Sequence, residues 1–369
     1  MKILVIGSPK RDFHIGFDML VLGLSRAGIA FDHYPNILTQ SYGHTGTYQL
    51  KFDDADISYP EYCAIVNNLK KKNYDLIITM VCRVDYNRGK HGYLSKISRK
   101  FKYSLASNKY KMGGTLVVDW LKQGMELPPI IVLDDLDEPF IHPVDYDLLL
   151  NCALYFKREL PFDRFLCFRL FDSRLSKNQL MPLAEKLRPL WTSYDLNSIA
   201  AFTNLEAFKP YSERYIDITF LGNTHSSYNR QKLLPLLDRL EAKYNVITPR
   251  SGRRSKPEFY ELLKRSKICV SPDGRGWDTP KHYELPLCGG LLFLTRPTIE
   301  LGIGFKDGEN CVFVDNLFRD FEERAGYYLS NPALSATIAR NGYEFAGKYL
   351  NNIKLAEYVL QTTKEAIGK

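Results

Sequence analysis

Short apolar runs bounded by glycine, proline or charge alternate along this chain with longer stretches in which apolar residues return every three or four positions. The runs read as strands buried on both faces, and the periodic stretches as helices packed against them. Residues 2–7 (KILVIG) form such a run ending in glycine; a loop over 8–12 and a helix over 14–27, stopped by Gly28, come next. Further strands are predicted over 29–33, 75–81 and 129–133, and helices over 60–72 and 115–123. Residues 145–159 predict one or two more strands, and 161–203 show little periodicity beyond a helix over 179–187. Alternating strand and helix signals imply a parallel sheet.

Lys209-Pro210 breaks the pattern just before a new strand, which places a linker at 208–215. A strand over 216–221, a polar loop, a helix over 231–244 and a short strand over 245–248 are expected next. They lead into a basic loop over 249–254 and a helix over 257–265. The most compact pattern is residues 266–295, SKICVSPDGRGWDTPKHYELPLCGGLLFLT. It reads as a short strand over 268–270, a glycine-rich polar loop over 271–279, a short helix, a glycine pair and a second apolar strand. Beyond it, a strand over 311–314, a helix over 318–329 and a final pair of helical segments are predicted. Ligands of open α/β sheets bind beyond the carboxyl ends of strands, so the polar residues of 271–279 are the first candidates for a site.

A length of 369 residues with 45% apolar and 13% aromatic content exceeds one ordinary core and predicts two domains. The seven cysteines are scattered and odd in number, with no CxxC pair, which argues against a disulfide framework or zinc cluster and for a reducing compartment. The opening MKILVIGSPK has too short an apolar run for a signal segment, and no stretch approaches the roughly 18 apolar residues of a membrane span. A cytoplasmic location is the expectation. The net charge of +8 suits a protein that handles anions without saying which. Residues 88–111 carry eight Lys or Arg and no acid, with four aromatics interleaved. That segment fits an anionic membrane surface, an acidic acceptor or a solvated basic loop. No RNP-like or helix-turn-helix pattern accompanies it, which argues against nucleic acid. Nor does GSPKR make a GxGxxG fingerprint.

Residues 128–140, PPIIVLDDLDEPF, run an apolar strand straight into Asp134, Asp135, Asp137 and Glu138. Carboxylates at a central strand end can act as a general base on a hydroxyl. Asp135-Leu136-Asp137 could alternatively mimic a metal-binding DxD, and the acids could simply cap the next turn or pair with the basic loop over 88–111.

The order of these motifs resembles the GT-B glycosyltransferases, in particular the group-1 transferases similar to the spore maturation protein CgeB. The residues that carry the resemblance are Ser271-Pro272, Lys281-His282, Glu284 and Cys288-Gly289-Gly290, with Asp217 to Gly222 before a polar loop and Arg230 at a helix start. The strand ending in Asp134-Asp135 is similar too. The resemblance implies two Rossmann-like doubly wound domains facing a cleft. Residues 1–207 would form the acceptor domain, 208–345 the nucleotide-sugar domain, and 346–369 a helix crossing back to the first.

By that resemblance Glu284 would hold the ribose hydroxyls of a UDP- or GDP-type donor. Lys281 or His282 would face its phosphates, Arg230 at the start of its helix could contact one, and Gly222, Asn223, Asp273 and Gly289 would line the site; apart from the resemblance, Arg250, nearest the strand end in the basic loop, is a further phosphate candidate. The reaction implied is transfer of the sugar to a hydroxyl of a glycan, lipid-linked or protein acceptor, without a metal or cofactor. Asp135 or Asp137 is the base if the enzyme inverts; Asp278 and His282 matter more if it retains, which family analogy favours. One departure stands out: the first acid of the Glu-x7-Glu pattern of many retaining relatives has no counterpart, because Gly276 occupies its place. A nucleotide-sugar epimerase and a catalytically silent binding protein of the same fold remain alternatives.

Overall fold

A computed structural model describes residues 1–7, 15–35, 57–82, 113–171, 175–195, 199, 210–249 and 254–368. The basic stretch 88–111, the whole loop over 8–12, and Arg250 lie outside them. Chain contacts divide the protein into two units. Unit 1 comprises Met1–Leu136, Phe140–Leu190 and Ala356–Lys369; unit 2 comprises Asp137–Pro139 and Trp191–Leu355. The division thus falls at Leu190, earlier than the linker placed at 208–215.

In unit 1 the elements run β1 (Ile3–Ile6), α1 (Ile15–Arg26), β2 (Phe31–Tyr34), β3 (Ile57–Ser58), α2 (Tyr62–Lys70), β4 (Leu76–Met80), α3 (Gly113–Lys122), β5 (Ile130–Asp134), α4 (Tyr146–Asn151), β6 (Leu154–Lys157), α5 (Lys177–Ala184) and β7 (Leu187–Pro189). All pairings are parallel, in the order β3-β2-β1-β4-β5-β6-β7. The order reverses between β1 and β4, which marks a doubly wound sheet and its switch point. The start of α3 presses on that point. A Cβ on Gly114 would stand 2.6 Å from the Met80 carbonyl oxygen, and one on Gly113 would meet the Ile6 carbonyl. Only glycine lets the helix come this close.

Residues 145–159 hold one of the one or two strands expected, β6, but it follows a helix, α4, that the pattern did not predict. The leucines of α4 look like a strand run, yet Leu148 and Leu149 are buried on one helical face. The short β7 gave no periodic signal, having three residues of which one is buried.

At the ends of β5 and β6 lies a charge pair wholly out of solvent. Lys157 Nζ sits 3.1 Å from Asp134 Oδ1, with side chains 0% and 1% exposed. The Tyr155 hydroxyl donates to Asp134 Oδ2 at 2.9 Å, and the Leu136 amide to Oδ1 at 3.2 Å. Asp145 nearby accepts from the Cys82 amide at 2.5 Å. Burial, then the Asp134 charge, push its carboxyl up to about 7.

Unit 2 runs β8 (Ile216–Thr219), α6 (Tyr228–Leu240), β9 (Val246–Ile247), α7 (Lys256–Lys264), β10 (Ser266–Ser271), α8 (Pro280–Glu284), β11 (Leu291–Thr295), β12 (Val312–Val314), α9 (Phe321–Ser330), α10 (Pro332–Tyr349) and α11 (Asn352–Ile367), the last passing into unit 1 from Ala356. Its sheet is also parallel, ordered β12-β11-β10-β8-β9, with the reversal between β8 and β10. Ile218, Ile268, Leu291 and Val312 from four adjacent strands meet Leu233 and Leu237 of α6 and Phe321 of α9 in one core. The expectation of an α/β protein with two Rossmann-like parallel sheets is met. Among the described residues no helix is long and apolar enough to cross a membrane.

Replacing Lys157 by Met keeps its stem but strands the Asp134 carboxylate in the interior, which costs about 3–5 kcal/mol. Urea unfolding should show a correspondingly lower midpoint for Lys157→Met, and a smaller loss when Asp134→Asn is added.

Candidate functional site

The switch point of unit 2 brings together the loops that leave β8 and β10. After β8 the chain turns at Gly222, where a Cβ would lie 2.6 Å from the Phe220 ring. Asn223 then caps a 3-10 turn, Thr224–Ser226, by accepting from the His225 amide at 3.0 Å. Ser227 caps α6 by accepting from the Arg230 amide at 3.2 Å. These caps stand where the sequence shows a polar run before an apolar-periodic one, as N-terminal turns require.

Arg230, on the first turn of α6, joins the two loops. Its Nη1 donates to the Asn223 carbonyl at 3.3 Å and the Ser226 hydroxyl at 2.8 Å. From the other side Nε donates to the Asp273 carbonyl at 3.0 Å, and Nη2 to the Pro272 carbonyl at 3.2 Å. The side chain expected to contact phosphate is therefore occupied by protein oxygens, and its charge acts from the floor of the loops. Burial lowers its pKa, against the pull of Asp273. The Asp273 carboxylate itself accepts from Asn229 Nδ2 at 3.0 and 3.1 Å.

The helix α8 is five residues long and passes into a 3-10 turn, Pro286–Cys288. Gly289 closes it at φ 70°, in the left-handed region. Three of its side chains carry the chemistry. Lys281 is partly exposed, with its Nζ 4.3 Å from the centroid of the Phe259 ring on α7. Burial, then the neighbouring Arg230 charge, push its amine down to about 8. Among the described residues no carboxylate forms an ion pair with it. Glu284 is buried, and that desolvation pushes its carboxyl up to about 8. At neutral pH α8 thus presents a charged amine and a protonated carboxyl.

His282 is fully buried, its Nδ1 2.8 Å from the Ser271 hydroxyl and its ring centroid 4.6 Å from that of Trp277. Desolvation holds it neutral, down to about 3. Trp277 donates its indole N–H to the Thr295 carbonyl at 2.9 Å, and it and Tyr283 are core groups. Asp278 is buried too; its Oδ2 accepts from the Thr192 amide at 2.6 Å and so anchors the start of unit 2.

The other catalytic candidates follow β5. Asp135 Oδ2 accepts from the Gly16 amide at 3.2 Å, on the first turn of α1, and Asp137 is partly exposed. The capping expected of the acidic run was of its own following turn; Asp135 instead meets the start of α1, 119 positions earlier in the chain.

Two participants escaped sequence reasoning: Phe259 reads as one more apolar position of an amphipathic helix, and Asn229 as a surface amide. Ser271 was among the residues of the resemblance, but nothing in the sequence marked its partnership with His282.

Residues 206–361, which contain every described candidate of unit 2 from Gly222 to Gly289, match the family model described as Glycosyl transferase-like. No curated protein matches the sequence. Among solved structures, a glycosyltransferase from Rickettsia africae ESF-5 aligns at a TM-score of 0.54 with 10% identity, over 99% of this chain and 98% of that one. HepE of Anabaena, solved in complex with UDP-glucose, aligns at 0.47 with 11% identity, over 99% of this chain and 100% of its own. Sucrose-phosphate synthase of Thermosynechococcus elongatus gives 0.48 and 13%, over 100% and 99%. The fold is accordingly that of the GT-B glycosyltransferases, two parallel α/β sheets, and its second half carries a glycosyltransferase-like sequence.

Because all three guanidinium nitrogens of Arg230 span the two loops, a lysine cannot replace it. Arg230→Lys should lower stability by roughly 2 kcal/mol or more, the scale of charged hydrogen bonds lost from a buried site, read as the shift of the thermal or urea midpoint.

Proposed function

We propose that unit 2 binds the nucleoside diphosphate of a UDP- or GDP-sugar and that the protein transfers the sugar to an acceptor hydroxyl, as a CgeB-like member of the GT-B glycosyltransferases. The observation that carries this reading is the placement of α8 at the switch point: Lys281, with the Phe259 ring 4.3 Å from its Nζ and no described carboxylate paired to it, three residues before a buried Glu284 whose desolvation favours the neutral carboxyl. That arrangement is net positive and desolvated, as a diphosphate site should be. The glycosyltransferase-like match over 206–361 supports the same reading.

In the transfer the bond between the anomeric carbon and the diphosphate oxygen breaks, and the nucleoside diphosphate leaves with the electron pair. Lys281 stabilises the charge that develops there, supported at longer range by Arg230. Glu284 takes the ribose hydroxyls, its carboxyl exchanging hydrogen bonds with them. The acceptor oxygen forms the new bond to the same carbon. Its proton goes to Asp135 or Asp137 if configuration inverts, or to the departing diphosphate if it is retained, the outcome favoured by family analogy. No metal enters this scheme, because the amine supplies the positive charge. The acceptor class proposed is a glycan, lipid-linked or protein hydroxyl.

Both titrations bear on affinity with the same sign. Lys281 has a lowered pKa, so its charge is present below about 8 and lost above it. Glu284 has a raised pKa, so it is neutral below about 8 and becomes an anion above it. Raising the pH from 7 to 9 therefore changes the site from positive to negative, and UDP or GDP affinity should fall with a dependence steeper than a single proton gives. Calorimetry across that range checks it. Lys281→Met should weaken binding about tenfold at pH 7, the loss of one charge-assisted hydrogen bond, and leave only the Glu284 titration. Unchanged affinity in Lys281→Met together with Glu284→Gln would remove the proposal. Nucleotide release with and without acceptors separates the alternatives: turnover lacking an acceptor marks an epimerase, and binding without turnover a silent protein.

A further inference from the structure

A lysine held in a desolvated site is ordinarily kept charged by a carboxylate. Among the described residues no carboxylate forms an ion pair with Lys281; Glu284, three residues on in α8, is buried and its carboxyl is raised by desolvation, and two acids of adjoining segments are engaged elsewhere. Glu258, one position before Phe259 on α7, accepts from the Ser255 amide at 2.8 Å and from its hydroxyl at 2.7 Å in a capping box. Asp273 is held by Asn229. The groups whose fields reach Lys281 are Arg230 of α6, which repels it, and the Cys288 thiol, which burial keeps protonated. What the ammonium does have is the face of Phe259, 4.3 Å below it. The ring is fixed in place: its neighbour Tyr260 is buried and meets it edge-on at a centroid distance of 5.2 Å, and the capping box sets the first turn of α7.

We propose that Phe259 is the positioning residue of Lys281, its ring face standing in for a counter-carboxylate. A carboxylate at that place would neutralise the amine and compete with any incoming anion. A ring attracts the cation through its quadrupole but carries no net charge, and it occupies one side of the ammonium while leaving the N–H donors on the other side for a ligand. The site thus keeps a cation in place and unneutralised, ready for phosphate oxygens. The ligand part of this inference rests on the diphosphate reading above; the effect on the amine does not.

Two measurements test it separately. First, the lysines are dimethylated with ¹³C formaldehyde, the Lys281 signal is assigned with Lys281→Arg, and its titration is followed by NMR in the intact chain. Phe259→Leu, which keeps an apolar group but removes the ring face, should lower the proton affinity of Lys281 by about threefold, and Phe259→Trp should restore or exceed the wild-type value. A Lys281 titration unchanged in Phe259→Leu, or a Trp variant no better than Leu, overturns the proposal. Secondly, the pH profile of UDP affinity should shift to lower pH in Phe259→Leu and return in Phe259→Trp. Should the wild-type chain bind neither UDP nor GDP, the diphosphate reading fails while the first measurement still decides the role of Phe259.

Discussion

The guanidinium of Arg230 is the constraint on which the site in unit 2 depends. It spans from the loop after β8 to the loop after β10, and it does so with carbonyl and hydroxyl oxygens alone. A fork with donors in one plane can hold two chain segments in register, which an ammonium cannot. Because no carboxylate closes the set, the positive charge that ties the loops together also remains to bias the ground above them. Structure and electrostatics are thereby one device: the contact that orders the loops also leaves positive charge beside them.

That bias reaches α8. Lys281 is destabilised as a cation by burial and by Arg230, and it is partly compensated by a ring in place of an acid. Glu284 is destabilised as an anion by the same burial. Desolvation moves the two groups in opposite directions to a similar value, so the pair presents positive charge at neutral pH without an ion pair forming between them. The short length of α8 makes this dependence on side chains understandable, since five residues contribute little macrodipole.

Unit 1 solves a different problem with the same kinds of residue. The acidic run after β5 divides its tasks: Asp134 is consumed inside by Lys157 and Tyr155, and Asp135 holds the first turn of α1. Consecutive residues on a strand point to opposite faces, and this parity sends the two carboxylates into different surroundings. Their burial keeps the strand end rigid whatever the following residues do.

Much of this protein was legible without coordinates. Short continuous apolar runs and apolar positions returning every three or four residues determined the alternation of strands and helices, and hence two parallel sheets, because burial of apolar faces is a local property of spacing. They also located the polar loops at strand ends, while the family resemblance picked out Arg230, Lys281 and Glu284 within them. They misled where a leucine run could serve either element, as at Leu148 and Leu149 of α4, and were silent where β7 has one buried residue. What a side chain does within its loop was decided by tertiary structure alone. Arg230 faces protein oxygens, His282 is sealed against Trp277, and Phe259 lies under a lysine 22 positions away in sequence. Hydrogen-bond partners, desolvation and ring faces are supplied by segments distant along the chain, and the periodicity of any one segment holds no record of which neighbour folding will set beside it.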